Sequence, residues 1–182
     1  MSFRIALGVT GSIAIYKSCE LVRLLKKDGM EVNVVMTSGA EKFITELTFR
    51  TLSGNAVCRN LFDDASVVNP LHISLAQECD ALVIAPCTAN VMAKMVAGIA
   101  DDSLTALALA FYKPIFVAPS MNVNMWNNTA TQANVAMLRE RGVLILEPGA
   151  GSLACGTEGK GRMMEALEIF DKLRSLLPEK LK

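Results

Sequence analysis

The sequence predicts an α/β fold, a single-domain doubly wound parallel sheet with helices on both faces. Short, wholly apolar segments such as Ala81–Ala85 are typical of strands that are buried on both faces of a parallel sheet. These segments alternate with longer stretches that have helical periodicity, and this strand–helix alternation favours parallel pairing. The 182 residues are enough for one domain with a sizeable core, and we expect residues 1–182 to form it.

The first third of the chain contains two strand–helix units. Asp28-Gly29 ends the first helix, with glycine in the left-handed position that follows many helices. Residues 54–70 have no clear period and are expected to be irregular. The predicted elements are, in order, a strand over Phe3–Val9, a helix over Ile13–Lys27, a strand over Met30–Met36 and a helix over Ala40–Leu52.

The segment from Ala81 to Asp102 forms the centre of the predicted fold. Pro86 cannot donate a ladder hydrogen bond, so the strand is expected to stop there. The small polar loop Cys87–Asn90 follows, and Thr88 or Asn90 can cap a helix that has Val91, Met95 and Ile99 on one face. A strand, a polar loop and a helix N-terminus form the ligand crevice of an open α/β sheet, although an ordinary capped turn is an equally good interpretation.

The second half repeats this alternation. The Asp101-Asp102 pair marks the start of a new helix, and a Gly-rich segment precedes the last one. The predicted elements are a helix over Ser103–Phe111, a strand over Ile115–Ala118, a loop over Pro119–Trp126, a helix over Thr129–Arg141, a strand over Val143–Leu146, the Gly-rich segment Pro148–Met163 and a helix over Glu165–Leu177.

Composition disfavours several classes of function. The net charge is zero, with 18 basic and 18 acidic residues, which argues against nucleic acid as the main partner. The longest apolar runs are too short for a membrane span, and the N-terminus resembles a strand more than a signal peptide. We therefore expect a cytoplasmic location. The five cysteines include no CxxC pair, so we expect neither a metal site nor a disulfide framework. The first turn also lacks the full G-x-G-x-x-G fingerprint of dinucleotide-binding proteins.

Three features are not explained by packing alone. Asn122, in the loop after the fourth strand, has an amide that can hold a carboxylate, but it can equally cap a helix. Cys155 lies in the Gly-rich segment 149–163, which is interpreted either as a mobile flap with a usable thiol or as a loose surface loop. His72 is the only histidine, and its ordinary pKa suits proton transfer at neutral pH, although a single histidine is more often structural.

Taken together, these motifs resemble the homo-oligomeric flavin-containing cysteine decarboxylase family. The resemblance extends from Ile5 to about Leu177, and it rests on several motifs in one order. They are GSIA at Gly11–Ala14, HISL with His72, APCTAN followed by GIADD, PSMNVNMW, and LACGTEGKGRM. The resemblance implies a flavodoxin-like, Rossmann-type three-layer fold that binds FMN at a subunit interface, in trimers or a dodecamer of trimers.

The resemblance also implies an activity and a set of site residues. The activity is decarboxylation of 4′-phospho-N-pantothenoylcysteine to 4′-phosphopantetheine in coenzyme A biosynthesis, by oxidation of the substrate followed by reduction. His72 would be the base of the oxidative half, Cys155 the proton donor of the reductive half, and Asn122 would hold the departing carboxylate. Leu153 and Ala154 would border the substrate. The residues expected around FMN are Gly11, Ser12, Ile13, Thr37, Ser38, Phe43, Thr88, Ala89, Asn90, Val91 and Ser120.

The match departs from the family's loop P-A-S/T-A-N-T at Cys87 and Val91, and four alternatives remain. Val91 stands where the family usually has a threonine, so a side-chain hydrogen bond to FMN is lost there while backbone contacts survive. The alternatives are a decarboxylase of a peptide's C-terminal cysteine, a flavin prenyltransferase, a non-catalytic regulatory subunit and an electron-carrier flavodoxin. Cys155 argues against the first, the motif PSMNVNMW against the second, the short basic tail against the third, and the neutral net charge against the fourth.

Overall fold

The computed structural model describes residues 2–61, 70–152 and 158–177. Strands and helices alternate along most of this chain, as the sequence predicts. The strands are β1 (Arg4–Val9), β2 (Glu31–Met36), β3 (Ala81–Cys87), β4 (Ile115–Pro119), β5 (Leu144–Ile145), β6 (Gly149–Ser152) and β7 (Glu158–Arg162). The helices are α1 (Ile15–Lys27), α2 (Glu46–Ser53), α3 (Leu71–Glu78), α4 (Ala89–Ala97), α5 (Ser103–Ala110), α6 (Val123–Asn127), α7 (Thr129–Glu140) and α8 (Ala166–Leu176).

Five strands form a parallel sheet in the order β2-β1-β3-β4-β5, which confirms the predicted doubly wound, flavodoxin-like architecture. Ile5 of β1 lies opposite Val32 on one side and Ala81 on the other. The chain therefore leaves β1 toward β2 on one side, and it later continues through β3 on the other. This reversal opens a crevice at the carboxyl ends of β1 and β3.

Two apolar layers bury the sheet on its two faces. One layer joins the sheet to α1, α2 and α8, and the other joins it to α3, α4, α5 and α7. Side chains at the centres of these layers include Leu21, Phe49 and Leu173 on the first face and Leu75, Met92, Leu107 and Leu138 on the second. Within the described residues, no helix combines the length and the apolar character needed to cross a bilayer.

The prediction that the third strand ends at Pro86 is wrong, because β3 continues to Cys87. The register of β3 against β4 shifts between Ile84 and Cys87, so Ala85 and Pro86 together lie opposite Ala118. Such a bulge tolerates a proline because the extra residue is not paired. It also inverts the alternation of side chains: Ala85 packs in the α1 layer, and Cys87, two residues later, packs in the α4 layer.

Several other element predictions need correction. The helix expected over Ala40–Leu52 is divided into a 3-10 turn at Ala40–Lys42 and α2, because Thr45 is extended as the residue before α2. Residues 71–78 form helix α3, whereas no element was expected around His72. The loop after β4 contains the short helix α6, and the Gly-rich segment contains the antiparallel pair β6–β7.

Helix α4 begins at a predicted cap and ends before Ile99. Of the two caps that the sequence offers, Thr88 and Asn90, Thr88 is the one that accepts a hydrogen bond from the N–H of Val91. The helix ends at Ala97, and Gly98 follows in the left-handed conformation with φ of 70°. Ile99 therefore lies beyond the helix and is 47% exposed, which corrects the prediction that it lies on one helix face with Val91 and Met95.

Candidate functional site

A cavity of about 720 Å³ lies at the carboxyl edge of the sheet, where the crevice between β1 and β3 opens. This volume falls in the range of natural small-molecule sites. The cavity is surrounded by the loops after β1, β3 and β4, by the segment after the 3-10 turn, and by the end of β7. Its lining consists of Gly11, Ser12, Ile13, Ala14, Tyr16, Lys17, Phe43, Thr88, Ala89, Ser120, Met121, Asn122, Met125, Gly161, Arg162 and Met163.

Hydroxyl groups join the three strand-end loops to one another. The Oγ1 of buried Thr10 donates to the carbonyl of Pro86 at 2.8 Å and accepts from the N–H of Thr88 at 3.2 Å. The hydroxyls of Ser12 and Ser120 lie 2.8 Å apart, and the N–H of Ser120 donates to the carbonyl of Cys87. These bonds fix the relative positions of the loops around the cavity.

The loop after β1 packs directly on the loop after β2. A Cβ atom on Gly11 would lie 2.9 Å from the carbonyl carbon and oxygen of Gly39. Real Cβ atoms do not approach backbone that closely, so a larger residue at this position would push the two loops apart. Helix α1 begins nearby at Ile15, and Ala14 before it offers no side-chain cap. The N–H groups of Ala14 and Ile15 donate to the hydroxyl and the carbonyl of Ser12, and the N–H of Lys17 donates to the carbonyl of Ala14. The positive end of the helix dipole, at this end of α1, favours an anion in the cavity.

The floor of the cavity contains an ionic cluster that connects α1 to the start of α8. Lys17 is 4% exposed, and its Nζ donates to the carbonyl of Met163 at 2.8 Å and to Glu165 Oε1 at 2.9 Å. Arg162 Nη2 donates to the same carboxylate oxygen at 2.8 Å. The hydrogen bond from Lys17 is the main reason that the pKa of Glu165 lies below its usual value.

The β6–β7 hairpin is attached to the loop after β4 by its backbone. The N–H of Met121 donates to the carbonyl of Gly161 at 3.0 Å. Gly161 has φ of 148°, and a Cβ there would lie 2.4 Å from the carbonyl oxygen of Met121. Only glycine combines this φ with such a close approach, so the hairpin holds its end against the cavity through this position.

Seven of the eleven residues expected around FMN line the cavity, namely Gly11, Ser12, Ile13, Phe43, Thr88, Ala89 and Ser120. The other four lie outside its lining. Thr37 is buried in its own turn, where its hydroxyl accepts from the N–H of Ala40, and Ser38 is exposed. Asn90 is exposed on α4, and the side chain of Val91 packs in the apolar layer beneath that helix.

Asn122 lines the cavity and also begins helix α6. Its Oδ1 accepts a hydrogen bond from the N–H of Asn124 at 2.8 Å. The interpretation of Asn122 as a helix cap is therefore confirmed. Asn122 is also a lining residue of the cavity, so the cap holds this residue at the site.

His72 does not line the cavity. It lies in the first turn of α3, which packs in the layer opposite α1. Because α3 leads directly into β3, its first turn is at the same edge of the sheet as the cavity. The Nδ1 atom of His72 is buried, and no hydrogen-bond partner for it exists among the described residues. Leu153, Ala154 and Cys155 lie outside the described residues.

Burial makes two cysteine thiols near the sheet unreactive. Burial raises the pKa of the Cys87 thiol, although Cys87 adjoins Thr88 at the cavity. Burial also raises the pKa of Cys79 to about 11. A thiol in such a site is neither an effective nucleophile nor a ready proton donor at neutral pH.

Sequence reasoning missed Lys17 and Arg162 as site residues. Lys17 shares the buried stripe of α1 with Leu21 and Leu25, at spacings of four residues, and a lysine on an apolar stripe was the available signal. Arg162 belongs to the motif LACGTEGKGRM, but a motif does not show which of its members face a ligand. The pairing of Lys17 with Glu165 spans 148 positions, so no local pattern indicates it.

Comparison with known proteins finds a flavoprotein family model and relatives named for coenzyme A biosynthesis. The family model described as Flavoprotein matches residues 1–177. The coenzyme A biosynthesis bifunctional protein CoaBC of Haemophilus influenzae is 44% identical over 176 residues, which are 97% of this chain and 44% of that protein. The protein of the same name from Mycolicibacterium smegmatis is 45% identical over 174 residues, 96% of this chain and 42% of that protein. The chain thus spans less than half the length of these relatives.

Solved structures share nearly the whole fold. A PPC decarboxylase mutant complexed with pantothenoylaminoethenethiol aligns with a TM-score of 0.86 and 33% identity, covering 96% of this chain and 98% of that one. The FMN binding protein AtHal3 aligns with a TM-score of 0.86 and 33% identity over 100% of both chains. The FMN-dependent cysteine decarboxylase SpaF aligns with a TM-score of 0.81 and 32% identity, covering 95% of this chain and 96% of that one.

Proposed function

The chain belongs to the flavoprotein family, and on that premise we propose that it is an FMN-dependent carboxy-lyase. The proposed reaction converts 4′-phospho-N-pantothenoylcysteine to 4′-phosphopantetheine in coenzyme A biosynthesis. One observation carries the proposal: the loops containing GSIA, CTAN and PSMN, far apart in the sequence, meet around a single cavity. The identity to CoaBC proteins, 44% over 97% of the chain, supports the substrate.

The residues of the cavity fit FMN. Ile13, Phe43 and Met125 supply apolar surface for a flat ring system, and the Ser12–Ser120 pair supplies hydroxyl groups. The close approach of Gly11 to Gly39 leaves room for a ligand near the N-terminal end of α1, where the helix dipole favours a phosphate. Thr37 and Ser38 belong to the loop packed on Gly11, and we assign them a supporting role toward that phosphate.

When bound, FMN supplies a reversible two-electron acceptor for the cysteine part of the substrate. The protein supplies the acid–base and binding groups. We assign to His72 the removal of a proton during oxidation and to Asn122 the binding of the carboxylate that leaves as carbon dioxide. Cys155 donates a proton to the product, and Leu153 and Ala154 border the substrate. A neutral amide suits Asn122's role, because a cation would stabilise the carboxylate before it leaves.

The position of His72 supports an oligomer. In one copy of the chain, His72 lies in the layer opposite α1 and does not line the cavity. Large apolar side chains at the rim of the cavity are exposed, with Ile13 at 60%, Tyr16 at 61% and Phe43 at 49%. We propose that a second copy covers this rim and brings its own His72 to the site, in a trimer or a dodecamer of trimers.

Two further assignments complete the proposal. The chain acts as one flavoprotein domain, supported by the family match over residues 1–177. Among the described residues, Cys19, Cys79 and Cys87 form no disulfide, which suits a reducing compartment, and we place the protein in the cytoplasm.

The test is turnover of 4′-phospho-N-pantothenoylcysteine by the FMN-loaded protein, with carbon dioxide and product followed by mass spectrometry. The wild type is expected to release carbon dioxide and 4′-phosphopantetheine. Cys155→Ser is expected to release carbon dioxide but to accumulate the oxidised enethiol. Absence of carbon dioxide would defeat the proposed function, and a normal yield of 4′-phosphopantetheine from Cys155→Ser would remove Cys155 from its role.

A further inference from the structure

The cavity has a one-sided charge that the proposed roles do not use. Its described lining contains two cations, Lys17 and Arg162, and no aspartate or glutamate. Both cations bind the single carboxylate of Glu165, which lies behind the lining. One carboxylate shared by two cations leaves a net positive charge beside the cavity. This charge favours an anionic ligand group.

The two cations differ in what they can still bind. Lys17 is 4% exposed, and two of its three N–H groups donate to Met163 and Glu165, so it acts as a fixed charge. The side chain of Arg162 is 46% exposed, and only its Nη2 donates to an acceptor among the described residues. Its remaining N–H groups form a planar fork suited to a phosphate or a carboxylate. The hydrogen bond to Glu165 orients that fork.

We propose that Arg162 binds the 4′-phosphate of the substrate and so determines specificity for the phosphorylated form. This inference rests on the proposed function. The carbonyl of Gly161, beside Arg162, accepts from the N–H of Met121, so the backbone that carries Arg162 adjoins the loop of Asn122. An arginine on the leaving carboxylate would oppose decarboxylation by stabilising the ground state. The phosphate, at the far end of the substrate, carries no such penalty.

The experiment compares two substrates, 4′-phospho-N-pantothenoylcysteine and its dephosphorylated form N-pantothenoylcysteine, on FMN-loaded protein. For Arg162→Gln, kcat/KM for the phosphorylated substrate is expected to fall about 10- to 100-fold, the effect of one charge-assisted contact. The kcat/KM for the dephosphorylated substrate and the affinity for FMN are expected to stay unchanged. Arg162→Lys keeps the charge but not the fork, and its kcat/KM for the phosphorylated substrate is expected to lie between those of the wild type and Arg162→Gln.

Lys160→Gln is the matched control. It removes the same charge from the same strand, but Lys160 Nζ binds Glu147 at 2.6 Å, lies over the Trp126 ring and does not line the cavity. It is expected to retain the preference of the wild type for the phosphorylated substrate. An equal loss from Lys160→Gln would show that only overall charge matters, and this would overturn the proposal.

Three other results would also overturn it. They are a persistent phosphate preference in Arg162→Gln, an equal loss on both substrates, and a weakened affinity for FMN that accounts for the loss. Calorimetric binding of 4′-phosphopantetheine against pantetheine tests Arg162 even without turnover, and the difference between these ligands is expected to vanish in Arg162→Gln. If the wild type turns over neither substrate, the proposed function fails, whereas this binding comparison still decides the role of Arg162.

Discussion

Gly161→Ala tests whether the β6–β7 hairpin is held at the cavity by one close backbone contact. Two costs follow from the structure. The residue has φ of 148°, a region that is nearly restricted to glycine, and alanine there costs about 1–3 kcal/mol. The new Cβ would also lie 2.4 Å from the carbonyl oxygen of Met121, and relief of such an overlap costs about another 1–3 kcal/mol. The sum is roughly 2–6 kcal/mol, a large fraction of the stability of an ordinary domain.

Two other glycines of the hairpin provide a graded control. Gly159 has a similar φ of 152°, but its Cβ would meet Val123 Cγ2, the end of a side chain that can rotate. A Cβ on Gly149 would find its nearest neighbour, the carbonyl oxygen of Arg162, at 3.9 Å. The expected order of destabilisation is therefore Gly161→Ala, then Gly159→Ala, with Gly149→Ala within about 0.5 kcal/mol of the wild type.

Urea unfolding followed by circular dichroism measures the global cost. Limited proteolysis detects the alternative outcome, in which the hairpin detaches and the rest of the fold stays intact. Gly161→Ala is expected to show a lower unfolding midpoint or faster cleavage in the hairpin. If Gly161→Ala matched Gly149→Ala in both assays, the contact between Gly161 and Met121 would not hold the hairpin in place.

Three further predictions concern the carboxylate, the thiols and the hydroxyl pair of the site. Because Lys17 lowers the pKa of Glu165 from 4.5, the ionised carboxylate contributes stability that is present above pH 4.5 and lost as pH falls through the lower folded value. Glu165→Gln is therefore expected to be less stable than the wild type at pH 7 in urea unfolding, and a gap that did not narrow below pH 4.5 would contradict this linkage. Burial raises the pKa of Cys79 to about 11 and also raises that of Cys87, so both thiols are expected to resist a thiol reagent at pH 8 until urea is added. Mass spectrometry that detected rapid labelling of either thiol in the folded protein would contradict their burial. Ser12→Ala removes the hydrogen bond to Ser120 and is expected to weaken FMN binding about 3- to 10-fold in a fluorescence titration. Ser175→Ala on α8 is expected to leave the FMN affinity unchanged. Equal FMN affinities of the two variants would show that the hydroxyl pair does not contribute to FMN binding.

Local patterns predicted the loops of the site because the carboxyl ends of parallel strands meet at one edge. The loops containing Ser12, Thr88 and Ser120 each follow a short apolar strand, so their convergence follows from strand–helix alternation. The path of β3 past Pro86 could not be predicted, since the bulge depends on the register of β4 beside it. A proline in isolation indicates only the loss of a donor.

Contacts between segments far apart in the sequence account for the other features that the sequence did not predict. The Gly-rich segment contains no apolar alternation, and its pairing as β6–β7 follows from backbone contacts such as that between Gly161 and Met121. The burial of Lys17 depends on a carboxylate 148 positions away. His72 was expected near a crevice, and its place on α3, opposite α1, depends on how the helices divide between the two faces of the sheet.

The most direct test of the proposed function is an anaerobic mixing experiment with FMN-loaded Cys155→Ser and 4′-phospho-N-pantothenoylcysteine. The visible flavin absorbance is expected to fall in proportion to the carbon dioxide released and to stay low, because the return of the proton to the product is blocked. The same experiment with His72→Asn is expected to leave the absorbance unchanged. Flavin absorbance that stays constant in Cys155→Ser while carbon dioxide is released, or that falls equally in His72→Asn, would contradict the account.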